Sequence, residues 1–172
     1  MKCTVEKSVL DEGVRRVLNV VSTKTTLPVL SNILLEADNE ELRLTTTDLE
    51  VCITTAIDAE IETAGQTTLP AKKLGQIVAS LPDGRVEMAT DNDYRTSISC
   101  GKAFFRLSGL TPDEFPREEP VEASWEFTIP CAGLYSAIDR VAYAVSTEEA
   151  RRVLTGILLS LRDGVITATA TD

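Results

Sequence analysis

The residues with most chemistry to offer are acidic and close two similar stretches. Leu44–Glu50 reads LTTTDLE and ends in Asp48 and Glu50; Thr169–Asp172 reads TATD and ends in Asp172. Two carboxylates can serve a hydrolase as general acid and base. The companions such chemistry usually recruits are missing. The chain has no histidine, which removes Ser-His and Cys-His nucleophile pairs and the commonest transition-metal ligand. It has neither a GxxxxGK(S/T) nor a GxGxxG phosphate loop. Its cysteines, Cys3, Cys52, Cys100 and Cys131, lie far apart without a CxxC spacing and read as reduced thiols of a cytoplasmic protein. A Thr-Asp repeated at equivalent strand ends reads as strand-end hydrogen bonding. No catalytic residue, metal or cofactor is expected.

The remaining candidates are basic. Lys7, Arg15 and Arg16 lie opposite an apolar helical stripe, Lys72 and Lys73 open a second helix, and Arg140 lies on a third. Basic residues on a polar helix face either contact phosphate or simply solvate the face. The chain as a whole carries 17 Lys and Arg against 27 Asp and Glu, a net charge of −10. Such a surface repels nucleic acid and anionic membranes overall, while leaving room for a local basic face. The opening MKCTVEKSVL lacks the apolar core of a signal peptide. No apolar run approaches the ~20 residues of a membrane-spanning helix, and no membrane partner is expected.

These residues sit on a repeated framework. Arg16–Thr23 reads RVLNVVST, and Arg140–Thr147, shifted by 124 positions, reads RVAYAVST. The match extends without a gap from Lys2–Asp48 onto Glu126–Asp172, with identities such as Leu10/Leu134, Leu30/Leu154, Leu34/Leu158 and Asp48/Asp172. Leu10, Val14, Val17, Leu18 and Val21 share the spacing of Leu134, Ile138, Val141, Ala142 and Val145, the stripe of an amphipathic helix. Each copy reads strand, helix, strand, strand, the second beginning with EFTIP (126–130) as a strand. A period this long marks a duplicated domain.

Between the copies a weaker version of the unit recurs. QTTLP (66–70) is a strand and AKKLGQIVASL (71–81) a helix; RVEMAT, RTSISC and AFFRLSG are three further strands. Residues 1–120 therefore read as two βαβββ units, an α+β domain with helices on one side of antiparallel sheets. Leu110–Ser124 has three prolines and five acids and reads as a linker. A second domain, 125–172, breaks off at Asp172, where the first copy continues as strand; the repeat therefore predicts that the chain is part of a longer protein.

At this point the sequence resembles the bacterial sliding clamps, the β subunit of DNA polymerase III. The resemblance runs through TTLPVLSNILLE (25–36), LTTTDLE (44–50), LPAKKLGQIVASLP (69–82), FRLSGLTPDEFP (105–116), EFTIP (126–130), LTGILL (154–159) and TATD (169–172). It implies the DNA-clamp fold, with a third domain absent from this chain. It also implies a head-to-tail homodimeric ring around double-stranded DNA, and a non-catalytic processivity role. The implied partners are the replicative polymerase, the clamp loader and other proteins with clamp-binding motifs. By motif match, Lys24 and Lys72 are the leading DNA-contact residues, joined by Arg16, Arg140, Arg151 and Arg152; Glu148 and Glu149 oppose the last two. The implied ring closure uses Lys73 and Ile77 on a helix, with Lys102, Phe105 and Leu107 on a strand, although Phe105 and Leu107 fit plain core equally well. Leu154 and Thr171 match the wall of a partner-peptide pocket. The alternative is a truncated clamp paralogue acting as an interaction module without a ring.

Overall fold

The computed structural model describes residues 1–21, 27–117 and 126–172. The chain divides into two units, Met1–Glu119 and Pro120–Asp172. The first unit runs β1 (Lys2–Glu6), α1 (Lys7–Leu18), a short 3-10 turn (Pro28–Ser31), β2 (Asn32–Asp38), β3 (Glu41–Thr47), β4 (Cys52–Asp58), β5 (Glu60–Thr63), β6 (Gly65–Pro70), α2 (Ala71–Ser80), β7 (Arg85–Thr90), β8 (Arg95–Cys100) and β9 (Ala103–Ser108). It forms two antiparallel sheets, β4-β3-β2-β6 and β5-β1-β7-β8-β9. Two half-units are visible in this order. The first strand of each has crossed into the other's sheet: β1 pairs with β7 and β6 pairs with β2. Short β5, which the sequence does not announce, pairs along β1.

Local chemistry explains the hairpins. Asn39 and Glu40, both at positive φ, make the two-residue turn between the paired Asp38 and Glu41. That backbone matches the twist of the strands it joins. At the β7–β8 hairpin the Asp91 carboxylate accepts hydrogen bonds from the amides of Asp93 and Arg95.

The helices cover the inner faces of both sheets. Leu10, Val14 and Val17 of α1 and Leu74 and Val78 of α2 join Ile33, Leu35, Leu42, Leu44, Val86, Met88 and Ile98 in one core. Glycine lets the layers approach: a Cβ on Gly13 would lie 2.8 Å from Leu44 Cδ1, and one on Gly75 2.8 Å from Leu18 Cδ1.

A smaller cluster seals the outer face of the β2 sheet, where Val29, Leu30 and Leu34 are buried beneath Phe115. Phe115 belongs to the stretch read above as linker. The structure instead straps residues 109–117 onto the domain. Thr68 Oγ1 donates to the Leu110 carbonyl at 2.9 Å and accepts from Asn32 Nδ2 at 3.0 Å. Arg117 donates to Gln66 Oε1 at 2.5 Å and stands 3.4 Å from Glu36. Proline and acid content marks irregular backbone; Phe115, Arg117 and the hydrogen bonds of Thr68 hold that backbone down.

The second unit contains α3 (Cys131–Ala142), a 3-10 stretch (Glu149–Leu154), β10 (Leu158–Arg162) and β11 (Val165–Thr169). Asp163 and Gly164 at positive φ close the β10–β11 hairpin. Residues 126–130, expected as a strand, form none. The equivalent β1 is laddered on both sides, to β5 and β7, whereas 126–130 join no β-ladder among the described residues. A strand without a ladder is not held. No large apolar side chain of this unit is buried among the described residues: Val153 is 92% exposed and Leu158 67%.

Two predictions follow from the packing. A methyl on Gly109 would fall 2.0 Å from the Thr68 carbonyl oxygen, so Gly109→Ala will destabilise by about 3 kcal/mol. Phe115→Ala, which opens the outer cluster, will cost about 3 kcal/mol. Both losses should appear as lower urea midpoints; an unchanged midpoint for Phe115→Ala would mean that the strap is not held by its aromatic. Burial also pushes the Cys3 thiol up to about 11, whereas Cys131 is exposed. At pH 8 iodoacetamide should therefore alkylate Cys131 in the folded protein and spare Cys3 until urea is added, as mass spectrometry of the peptides will show. The neutral thiol's contribution to stability is complete below the ordinary thiol pKa and is lost as pH rises toward 11.

Candidate nucleic-acid interface

The α1–α2 pair carries Lys7, Arg15, Arg16, Lys72 and Lys73, with Asp11 and Glu12 as its acids; Lys7 and Asp11 are half-buried and the other five are exposed. The rest of the chain is acidic by a wide margin. On α1 the charges lie four apart and pair along the helix. Arg15 donates to Asp11 Oδ2 at 2.8 Å, where Lys7 Nζ also stands at 3.7 Å. Arg16 donates to Glu12 Oε1 at 2.5 Å. α2 contains no acidic residue, and neither Lys72 nor Lys73 has an ion-pair partner among the described residues; both are exposed. Glu6, Glu40, Glu41, Asp58 and Glu60 line an open depression of about 650 Å³, with Arg85 bridging to Glu60.

Lys24 lies outside the described residues. In the second unit Arg140 is exposed in the last turn of α3, Arg152 is exposed, and Arg151 Nε pairs with Glu148 at 3.1 Å. Leu154 is half-buried, its carbonyl accepting the Ser146 amide at 2.9 Å. Thr171 is exposed beyond β11.

The expected ring-closure residues separate by environment. β9 is an edge strand of its sheet. Lys102 and Lys73 are exposed, and Ile77 is half-buried against the core. Leu107 is buried in the core, and Phe105, opposite Ile98, packs against it. The outward aromatic is Phe104, 60% exposed, with the Arg106 guanidinium 5.9 Å from its ring centre. Strand alternation in AFFRLSG carries two equal solutions until Ile98 fixes which phenylalanine faces inward.

Asp48 is occupied structurally. Its Oδ1 accepts the amides of Glu50 at 3.0 Å and Val51 at 2.8 Å, and Thr47 Oγ1 donates to the Val51 carbonyl at 2.9 Å. The turn this builds holds Leu49 at φ 79°. The repeated Thr-Asp thus closes a strand end in the first copy. Among the described residues no cluster of His, Cys, Asp or Glu could hold a metal ion.

Two half-units with exchanged first strands, antiparallel sheets on one side and a cation-bearing helix pair on the other, define a DNA-clamp fold. Residues 1–119 match the family described as DNA polymerase III beta subunit, N-terminal domain. The beta sliding clamp of Halalkalibacterium halodurans is 35% identical over 180 residues, covering 100% of this chain and 47% of that protein. Among solved structures, Caulobacter crescentus pol III beta superposes with a TM-score of 0.92 at 36% identity, over 100% of this chain and 48% of that one. The Pseudomonas aeruginosa DNA polymerase III subunit beta gives 0.94 at 34% identity, over 100% and 47%. The chain belongs to the beta sliding clamp family. It spans about half the length of the relatives it matches.

The two phenylalanines of β9 offer a direct check. Phe104→Ser should leave stability within about 0.5 kcal/mol, while Phe105→Ala should cost about 2 kcal/mol or more, both by urea denaturation. Equal losses would contradict the inward assignment of Phe105.

Proposed function

We propose that the chain forms part of a sliding clamp, a ring that encircles duplex DNA and tethers the replicative polymerase without catalysing a reaction. The observation that carries this reading is the reversal of charge on the helix pair. In a chain with net charge −10, basic residues outnumber acidic ones on the α1–α2 face. A basic face on an acidic protein concentrates phosphate at one place. Contact of this kind goes to the DNA backbone and positions the protein without reading sequence. It is loose and salt-dependent, which suits movement along the duplex. Retention then comes from topology, since leaving closed DNA requires the ring to open.

Lys72 leads the phosphate contacts, with Lys24, Arg16, Arg140, Arg151 and Arg152 in support. The open edge of β9, with Lys73, Ile77, Lys102 and the backbone of Phe105 and Leu107, is the surface for a second chain, because an unpaired strand edge is a template for sheet continuation. Leu154 and Thr171 contribute to a site for short peptides of the polymerase, the clamp loader and other replication factors. The place of action is the bacterial cytoplasm.

Binding to a linear fluorescent duplex, read by anisotropy across a salt series, tests the reading. Affinity should be the same for unrelated sequences and fall steeply with salt. Lys72→Glu/Lys73→Glu should weaken it and flatten the salt dependence, since each phosphate contact adds roughly 0.9 unit to the log–log salt slope. Sequence-selective binding, or a double variant that binds as the parent does, would sink the proposal.

A further inference from the structure

The two helices present cations in different states, and this difference bears on how tightly the face can hold DNA. The cations of α1 are already engaged. Glu12 accepts from Arg16 at 2.5 Å, and Asp11 accepts from Arg15 at 2.8 Å with Lys7 at 3.7 Å. Those of α2 have no acidic neighbour on their own helix, and no ion pair among the described residues involves them. The helices pack side by side, with Gly75 of α2 against Leu18 and Val14 of α1. A phosphate lying along the pair therefore meets both kinds of cation.

We propose that Asp11 and Glu12 are intrahelical competitors for the cations of α1, so that Lys72 of α2 carries the leading phosphate contact and the grip on duplex DNA stays weak. This rests on the clamp reading and deepens it, naming the residues that limit the interaction. For Arg16 to bind phosphate it must release Glu12 or bring that carboxylate along. Like charges about 4 Å apart in water weaken binding by about fivefold. The pairs also support the helix, an effect of opposite sign in a DNA assay. A residue that only stabilises α1 cannot raise DNA affinity when it is removed.

The experiment measures linear duplex binding by anisotropy from 50 to 200 mM salt for four proteins: the parent, Asp11→Asn/Glu12→Gln, Lys72→Gln/Lys73→Gln, and Asp58→Asn/Glu41→Gln. The last removes the same number of charges from the acidic depression, outside the ion pairs of α1, and so reports the effect of net charge alone. Removal of Asp11 and Glu12 should raise affinity several-fold and steepen the salt slope by about one unit, since a freed cation can neutralise one more phosphate. Thermal stability should be equal or lower. The depression variant should bind as the parent does, and the lysine variant should bind more weakly. Unchanged or weaker binding by Asp11→Asn/Glu12→Gln, or an equal gain in the depression variant, would overturn the inference while leaving the clamp reading in place. A parent without salt-dependent binding, or a lysine variant equal to the parent, would overturn both.

Discussion

The exchange of first strands between the two half-units is the constraint on which the rest depends. β1 is hydrogen-bonded into the sheet of the second half and β6 into that of the first. Each half consequently lacks a strand until the other is present. Each helix begins at once after its exchanged strand, α1 after Glu6 and α2 after Pro70. Pinning the two strands therefore pins the two helix starts. Gly13 and Gly75 then let α1 settle onto Leu44 and Ile57 and α2 onto Leu18. The basic face follows from this geometry, because cations from positions 7–16 and 72–73 meet only if both helices share one side of the sheets.

Much of this was legible in the sequence, and the parts that were not have physical reasons. The stripe Leu10, Val14, Val17 is a local pattern, and it became the buried side of α1. The alternation of LRLTTT likewise became β3. Strand exchange left no local mark: nothing in CTV or in QTTLP distinguishes the sheet of its own half from that of the other. β5 leaves no separate mark in the sequence because four residues, alternating only through Ile61, look like the end of β4. The strap at 109–117 reads as linker in the sequence because composition reports backbone irregularity, whereas its anchoring depends on Phe115 meeting Val29, Leu30 and Leu34 from far along the chain.

Charge behaves in the same way. A net value of −10 describes the whole molecule, while a ligand meets one face. The acidic residues gather partly around the β2–β3 turn and the β4–β5 corner, where Glu40, Glu41, Asp58 and Glu60 face a common depression. The helix pair holds cations in excess. Separation of this sort steers a polyanion toward one side of an acidic protein, and it required the fold before it could be seen. The Thr-Asp repeat illustrates the opposite case, in which the sequence reading carried over directly. Side-chain bonds spanning four residues or fewer close the strand end at Thr47–Val51.

The two copies of the repeat separate local from non-local determinants of structure. In both, the segment leading into RVLNVV or RVAYAV is helical and ends at the third residue of that motif, because a helix satisfies its hydrogen bonds from within. In both, strands joined by a two-residue positive-φ turn form a hairpin. The copies part where a distant partner is required. CTVE is a strand between β5 and β7, while EFTIP, without a ladder among the described residues, is not. Val29 and Leu34 lie beneath Phe115, whereas Val153 and Leu158 at the same positions of the second copy face solvent. Burial here is set by what arrives from elsewhere in the chain, and the identity of the residue only makes that arrival favourable.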